Sequence, residues 1–186
     1  MARISYVGKE RAPKEIAEIF QKMETRGARV NNLWRTAAHA PATLLHFIRM
    51  GNALLSKTRL DPCLRELAIL RVAAILDCEY ERRSHVILGR DVGITEAKLK
   101  AVSDWTNSDV FNEIERVMLG FTDEVAQNAR VDDKTFSRLS EHLDEGMMVE
   151  LAETIGFYGM IARVLLPFQV DLDTEEPTSS NIIGRD

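Results

Sequence analysis

The spacing of apolar residues along this chain predicts helices over almost its whole length. Apolar positions recur every three or four residues, and no segment shows the alternation of a half-buried strand. The run 146–168 is apolar on most faces, which is typical of a central or interface helix. Helix starts are predicted at Pro13, Asn31 or Asn32, Pro41, Asp61-Pro62, Thr95, Ser108 or Asp109, and Asp132 or Asp133.

The chain length and the absence of an internal linker predict one domain. A chain of 186 residues can bury a sizeable core, and no long polar or Pro/Gly-rich stretch interrupts residues 1–170. We therefore expect an all-α, single-domain helical bundle over residues 1–172. Residues 173–186 are mostly polar, and we expect them to form a flexible C-terminal tail.

Composition and charge exclude several classes of protein. A hydrophobic content of 45% argues against a disordered chain, and a net charge of −5 without a basic patch argues against a nucleic-acid binder. No run approaches the roughly 18 apolar residues of a membrane span, and the N-terminus lacks the apolar core of a signal peptide. We therefore expect a cytoplasmic protein with a small-molecule substrate and neither a nucleic-acid nor a membrane partner.

Residues 66–85 hold the groups most suited to chemistry. An apolar helical run carries Glu66 and ends at Asp77, and the next helix carries Cys78, Glu81 and His85. At about 100° per residue, those three side chains fall within about 60° of one another. If the two helices form a hairpin, Glu66 reaches the same place. A thiol, two carboxylates and an imidazole are groups that exchange protons.

Local sequence signals do not fix the protonation state or the role of these groups. With Asp77 as N-cap, Cys78 lies in the first helical turn, where backbone amides favour the thiolate, but Glu81 opposes this by its charge. Glu81 can also orient the imidazole of His85. Structural alternatives exist for each residue: a buried cysteine, a surface i, i+4 pair, and a Glu66 that only binds an arginine such as Arg65.

Metal and disulfide chemistry are not expected. Glu66, Cys78, Glu81 and His85 include ligand types for zinc or iron, but no HExxH or paired-histidine pattern occurs, so we predict no metal and no cofactor. Cys63 and Cys78 are the two cysteines, and in a cytosolic chain we expect free thiols. Cys63 becomes a possible resolving thiol only if it lies near Cys78.

The motifs around this stretch resemble the carboxymuconolactone decarboxylase-like superfamily, which includes alkylhydroperoxidase D. The resemblance rests on Leu64-Arg-Glu66-Leu-Ala-Ile-Leu, on Cys78-Glu-Tyr-Glu81 followed by His85, and on Gly93-Ile-Thr95. Its strong part covers residues 58–105, and weaker similarity extends through Ala38–Pro41 and 146–168. It implies an all-α fold that assembles into dimers, trimers or hexamers.

The resemblance also implies roles for single residues. Glu66, Cys78 and His85 match the glutamate, first cysteine and histidine of the peroxidase proton relay. Glu81 stands where that branch has its second cysteine, so a dithiol cycle lacks a partner sulfur. The decarboxylase branch instead carries a glutamate four residues before its histidine, as Glu81 and His85 do.

Three hypotheses about function follow from the residues and the resemblance. The leading one is a cofactor-independent acid–base enzyme of decarboxylase or lactone type, acting on a small organic acid or carbonyl compound. His85 is its acid or base, Glu81 orients His85, and Glu66 and Cys78 complete the relay. The alternatives are an alkylhydroperoxidase-like peroxidase that uses Cys78, and a non-catalytic oligomer that binds a small molecule.

Overall fold

The computed structural model describes residues 1–174, and within them it contains helices and no strand. The helices are α1 Lys14–Thr25, α2 Asn32–Ala37, α3 Pro41–Ser56, α4 Pro62–Ile75, α5 Glu79–Asp91, α6 Glu96–Ala101, α7 Glu113–Asn128, α8 Asp133–Ser140 and α9 Glu145–Leu165. Two short 3-10 helices span Lys9–Arg11 and Val102–Asn107. The predicted all-α fold is confirmed. The predicted flexible tail 173–186 lies outside the described residues from 175 onward.

Contacts divide the chain into two compact units. One comprises Met1–Lys57 and the described residues from Arg163 onward, and the other comprises Thr58–Ala162. Residues 58–105, which carry the strong part of the family resemblance, lie within the second unit. This division does not decide how the units fold, so the single domain over 1–172 stays a prediction. None of the helices in residues 1–174 combines the length and apolarity needed to cross a membrane.

The first unit is built on α1, α2 and α3. The apolar face of α1 is buried, with Ile16 and Phe20 fully inaccessible, and it packs in one cluster with Leu44 of α3. Asn31 caps α2 by accepting a hydrogen bond from the backbone N–H of Trp34 at 3.0 Å. The helix periodicity of the sequence thus places the apolar faces of α1 and α3 in a common core.

The second unit is built around α4, which is buried on all its faces. Every residue from Leu64 to Leu70 is buried, including the charged Arg65 and Glu66. Helices α5 and α7 and the second 3-10 helix pack against α4. Asp61 caps α4 by accepting hydrogen bonds from the backbone N–H groups of Cys63 and Leu64 at 2.8 and 3.1 Å. This cap fixes the start of the helix that carries Glu66.

Most helix starts are confirmed, and the start predicted for α7 is wrong. Asn31, Asp61, Thr95 and Asp132 cap their helices with their side chains. Ser108 or Asp109 was expected to cap the long helix α7, but α7 begins after Asn112. Asn112 and Glu115 form a capping box, in which each side chain accepts the other's backbone N–H, and this satisfies two unpaired amides at once.

Candidate functional site

The helical hairpin of α4 and α5 brings the charged candidate residues together. Asp77 lies in the turn with a φ of +52°, and the backbone N–H of Cys78 donates to the carbonyl of Ala73 at 2.8 Å. Cys78 itself is the N-cap of α5. Asp77 is therefore not the cap that the sequence predicted, because the tight reversal after α4 forces it into the left-handed conformation that aspartate tolerates.

The buried imidazole of His85 lies between two carboxylates. Nδ1 lies 2.7 Å from Oε2 of Glu66 on α4, and Nε2 lies 3.5 Å from Oε2 of Glu81 one turn earlier on α5. His85 is 2% exposed, Glu66 is 1% exposed and Glu81 is 5% exposed. The Glu66 contact is a short hydrogen bond, whereas the Glu81 contact exceeds ordinary hydrogen-bond length. Glu66, rather than Glu81, is thus the residue that fixes the ring.

Charge balance favours the protonated form of His85. Burial lowers the pKa of His85, but the charge and hydrogen bond of Glu66, followed by the longer polar contact and charge of Glu81, outweigh it and raise the pKa to about 9. Nε of the buried Arg65 lies 3.3 Å from the other oxygen of Glu66 and donates to it. With His85 protonated, two positive and two negative groups share the site, so the buried charges are paired.

Tyr158 of α9 lies at the site, although it is not among the residues that the sequence predicts there. Its ring meets the His85 ring edge to face, with centroids 4.7 Å apart. Burial raises the pKa of Tyr158 well above its usual value, and the charges of Glu66 and Glu81 add to this, so its hydroxyl stays protonated. No local pattern signals this role, because it depends on how a helix 73 positions away docks on α5.

Cys78 lies at the start of the same stripe but is a poor thiolate. It is 1% exposed, and burial raises its pKa to about 11. The backbone amides of Glu81 and Tyr80 favour the thiolate, while the charges of Glu81 and Asp77 oppose it. Glu81 thus acts on both the thiol and the imidazole. The sequence left open the direction in which the pKa of Cys78 shifts. The shift is upward, and burial is its largest cause.

Cys63 is held at the opposite end of the hairpin. Its thiol donates to the carbonyl of Val92, just beyond α5, at 2.9 Å. Cys78 follows the far end of α4, a helix of 14 residues that is about 21 Å long at 1.5 Å per residue. Cys63 is therefore excluded as a resolving thiol for Cys78 in this conformation. Among residues 1–174, no group of three or more His, Cys, Asp or Glu side chains is arranged to hold a metal ion.

The family comparison agrees with this segment. The model of the carboxymuconolactone decarboxylase family matches residues 41–124, which include α4 and α5. The uncharacterized protein YnjA of Escherichia coli (strain K12) is 33% identical over 110 residues, which are 58% of this chain and 59% of that protein. The chain thus matches about three fifths of the length of this curated relative.

Solved structures share the fold. A protein of unknown function from Agrobacterium tumefaciens, with a suggested AhpD-type antioxidant defence role, is 26% identical with a TM-score of 0.70 and covers 75% of this chain and 96% of its own. An uncharacterized peroxidase-related protein with an alkylhydroperoxidase AhpD core, from Ralstonia eutropha JMP134, has a TM-score of 0.80 at 20% identity and covers 100% of this chain and 97% of its own. The matched family model bears out the resemblance of residues 41–124 to the carboxymuconolactone decarboxylase family, and the solved structures show that the chain shares the fold of alkylhydroperoxidase AhpD-like proteins.

Proposed function

We propose that this protein is a cofactor-independent acid–base enzyme in which the His85 imidazolium is the proton donor. The unequal contacts of the two ring nitrogens carry this proposal. Nδ1 is tied to Glu66 at 2.7 Å, whereas Nε2 is 3.5 Å from Glu81 and is the less firmly held proton. A carboxylate that fixes one nitrogen and leaves the other to react is the arrangement that makes histidine an effective acid or base.

Decarboxylation of a small β-keto acid or lactone acid suits such a donor. The bond from carbon to the carboxylate breaks, carbon dioxide leaves, and the electron pair remains on the carbon as an enolate. Nε2–H of His85 then donates its proton to that carbon, and solvent restores the proton. The low exposure of His85, Glu66 and Glu81 limits the water around them and strengthens the electrostatic contacts that hold His85. Glu66 positions the ring, and Glu81 helps to keep it protonated.

The thiol chemistry of a peroxidase has less support in this site. A peroxide-reducing cysteine acts as the thiolate, and Cys78 is buried with its pKa raised to about 11. The position of a second sulfur holds Glu81, and Cys63 lies at the far end of α4. The suggested antioxidant role of the Agrobacterium tumefaciens protein makes peroxidase activity the alternative that the experiment includes.

Paired variants separate the two chemistries. We would assay carbon dioxide release and solvent deuterium uptake on small β-keto acids and carboxylated γ-lactones, and tert-butyl hydroperoxide reduction with dithiothreitol. His85→Gln should lower decarboxylation by about 100-fold or more, the usual size of a lost general acid. Cys78→Ser, the control on the same stripe, should keep activity within about tenfold of the wild-type protein.

The pH profile of the wild-type protein tests the proposal even if the His85→Gln variant fails to fold. Decarboxylation should fall as the pH rises through about 9, because the donor then loses its proton. Peroxide reduction that Cys78→Ser abolishes, in a protein that decarboxylates none of these acids, would overturn the proposal in favour of the peroxidase. Binding of these acids without turnover of any of them would favour a non-catalytic binding protein.

A further inference from the structure

A second concave site lies in the first unit, outside the His85 cluster. Its cavity has a volume of about 540 Å³, within the range of roughly 300–1,000 Å³ typical of small-molecule sites. One helical stripe of α1 (Ile19, Lys22, Met23) and one of α3 (Leu45, Ile48, Arg49) supply half of the lining residues. Both stripes follow the spacing of three and four residues, so each helix presents a continuous strip to the cavity.

The floor of this cavity is apolar. Ile19, Met23 and Ile48 are each at most 9% exposed yet line the space, and the half-buried Trp34 of α2 closes one side. The Trp34 ring is held edge to face against Phe47, with centroids 5.4 Å apart. An apolar ligand body therefore finds a preformed surface of aliphatic and aromatic groups, on which burial is favourable.

The rim of the cavity carries charge of one sign. Lys22, Arg26, Arg49 and Lys57 line it, and no acidic side chain occurs among its described lining residues. Arg26 and Lys57 stand at helix C-termini, where a positive charge also complements the helix dipole. Arg49 lies well inside α3, so the dipole does not account for it. This rim is positive in a chain whose net charge is −5.

A neighbouring cavity in the same unit shows that this pattern is not general. It has a volume of about 470 Å³ and is lined by residues of both signs, including Glu10, Arg11 and Glu24. Lys9 also lines it and pairs with Glu24 at 2.6 Å, so part of its charge is internally neutralised. The single-signed rim thus distinguishes the α1–α3 cavity from this neighbour.

We infer that the α1–α3 cavity binds an amphipathic carboxylate, with the apolar body on its floor and the carboxylate at Lys22 and Arg49. The apolar floor alone would accept any small hydrophobic molecule. The positive rim selects an anionic head group, because a charged hydrogen bond to an ammonium or guanidinium group is the strongest contact available there. The inference does not depend on the chemistry of His85.

Calorimetric titration of the full chain with dodecanoate tests this inference. Dodecanoate should bind, and dodecan-1-ol, which has the same chain without the charge, should bind at least about tenfold more weakly. The double variant Lys22→Glu/Arg49→Glu should weaken the binding of dodecanoate by about tenfold or more. The control Lys14→Glu/Arg130→Glu makes the same change of charge at exposed positions that do not line the cavity, and it should leave binding unchanged.

A variant that fills the α1–α3 cavity tests whether the apolar part of the ligand binds there. Ala53 lines the cavity, so Ala53→Trp should block dodecanoate while circular dichroism shows an intact helical fold. Equal binding of dodecanoate and dodecan-1-ol, or equal weakening by both double variants, would overturn the carboxylate assignment. Self-association that Ala53→Trp abolishes and dodecanoate does not alter would show that a second copy fills the cavity, and would also overturn it.

Discussion

The burial of Cys78 determines what its thiol can do at the residue scale. Its pKa is raised to about 11, first by burial, so only a very small fraction is thiolate near neutral pH. In a Cys63→Ser background, we expect iodoacetamide to alkylate Cys78 slowly at neutral pH and faster as the pH approaches 11. Fast alkylation at pH 7, measured by mass spectrometry against Cys78→Ser, would contradict this and reopen the peroxidase alternative.

Single residues differ in how far the sequence reveals them. Glu66, Glu81 and His85 follow from helix spacing and a short hairpin, because both are local properties of the chain. Tyr158 escapes local reasoning, since its contact with His85 depends on the docking of α9. The strained φ of Asp77 is likewise set by the geometry of the turn and not by a cap preference.

At the scale of elements, the Asp61 cap secures the helix that carries Glu66. Asp61→Ala removes the acceptor for two backbone N–H groups and should lower the free energy of unfolding by about 1 kcal/mol. Asp61→Asn keeps an acceptor and should restore most of that loss. Urea unfolding measures both, and an Asp61→Ala variant as stable as the wild-type protein would show that the cap is dispensable.

Helix boundaries show which element signals are readable in advance. Proline at the first helical position and a preceding Asp identify the start of α4 correctly. The start of α7 was placed too early, although Asn112 followed three residues later by Glu115 is itself a capping-box signature. Val102–Asn107 forms a 3-10 helix instead of extending α6, and Asp104 within it has non-helical dihedral angles.

At the scale of the whole molecule, the His85 cluster should make stability depend on pH. The pKa of His85 is about 9 in the folded chain against 6.5 for the free group. The contribution of protonated His85 to the free energy of unfolding is therefore complete below about pH 6.5. This contribution, about 2–4 kcal/mol, is lost as the pH rises through 9. Urea midpoints across this range should fall in the wild-type protein and fall much less in His85→Gln. A flat wild-type profile would contradict the charge assignment.

The predicted homo-oligomer stays a prediction, and α9 offers the place to test it. Val149, Gly156 and Met160 are exposed along one stripe of this mostly apolar helix. Light scattering should give a dimer, trimer or hexamer for the wild-type protein and a smaller species for Met160→Glu. Phe136→Glu on α8 is the matched control, since Phe136 is equally exposed. A monomeric wild-type protein at micromolar concentration would contradict the prediction.

The protonation state of His85 is the central claim, and a nuclear magnetic resonance titration of its ring measures it most directly. We expect a pKa of about 9 in the wild-type protein, because Glu66 and Glu81 outweigh burial. In Glu66→Gln, the 2.7 Å partner loses its charge, so the pKa should fall by at least one unit. A wild-type His85 that titrates at or below 6.5 would contradict the account, because the ring would then be neutral at pH 7 and unable to serve as the proton donor.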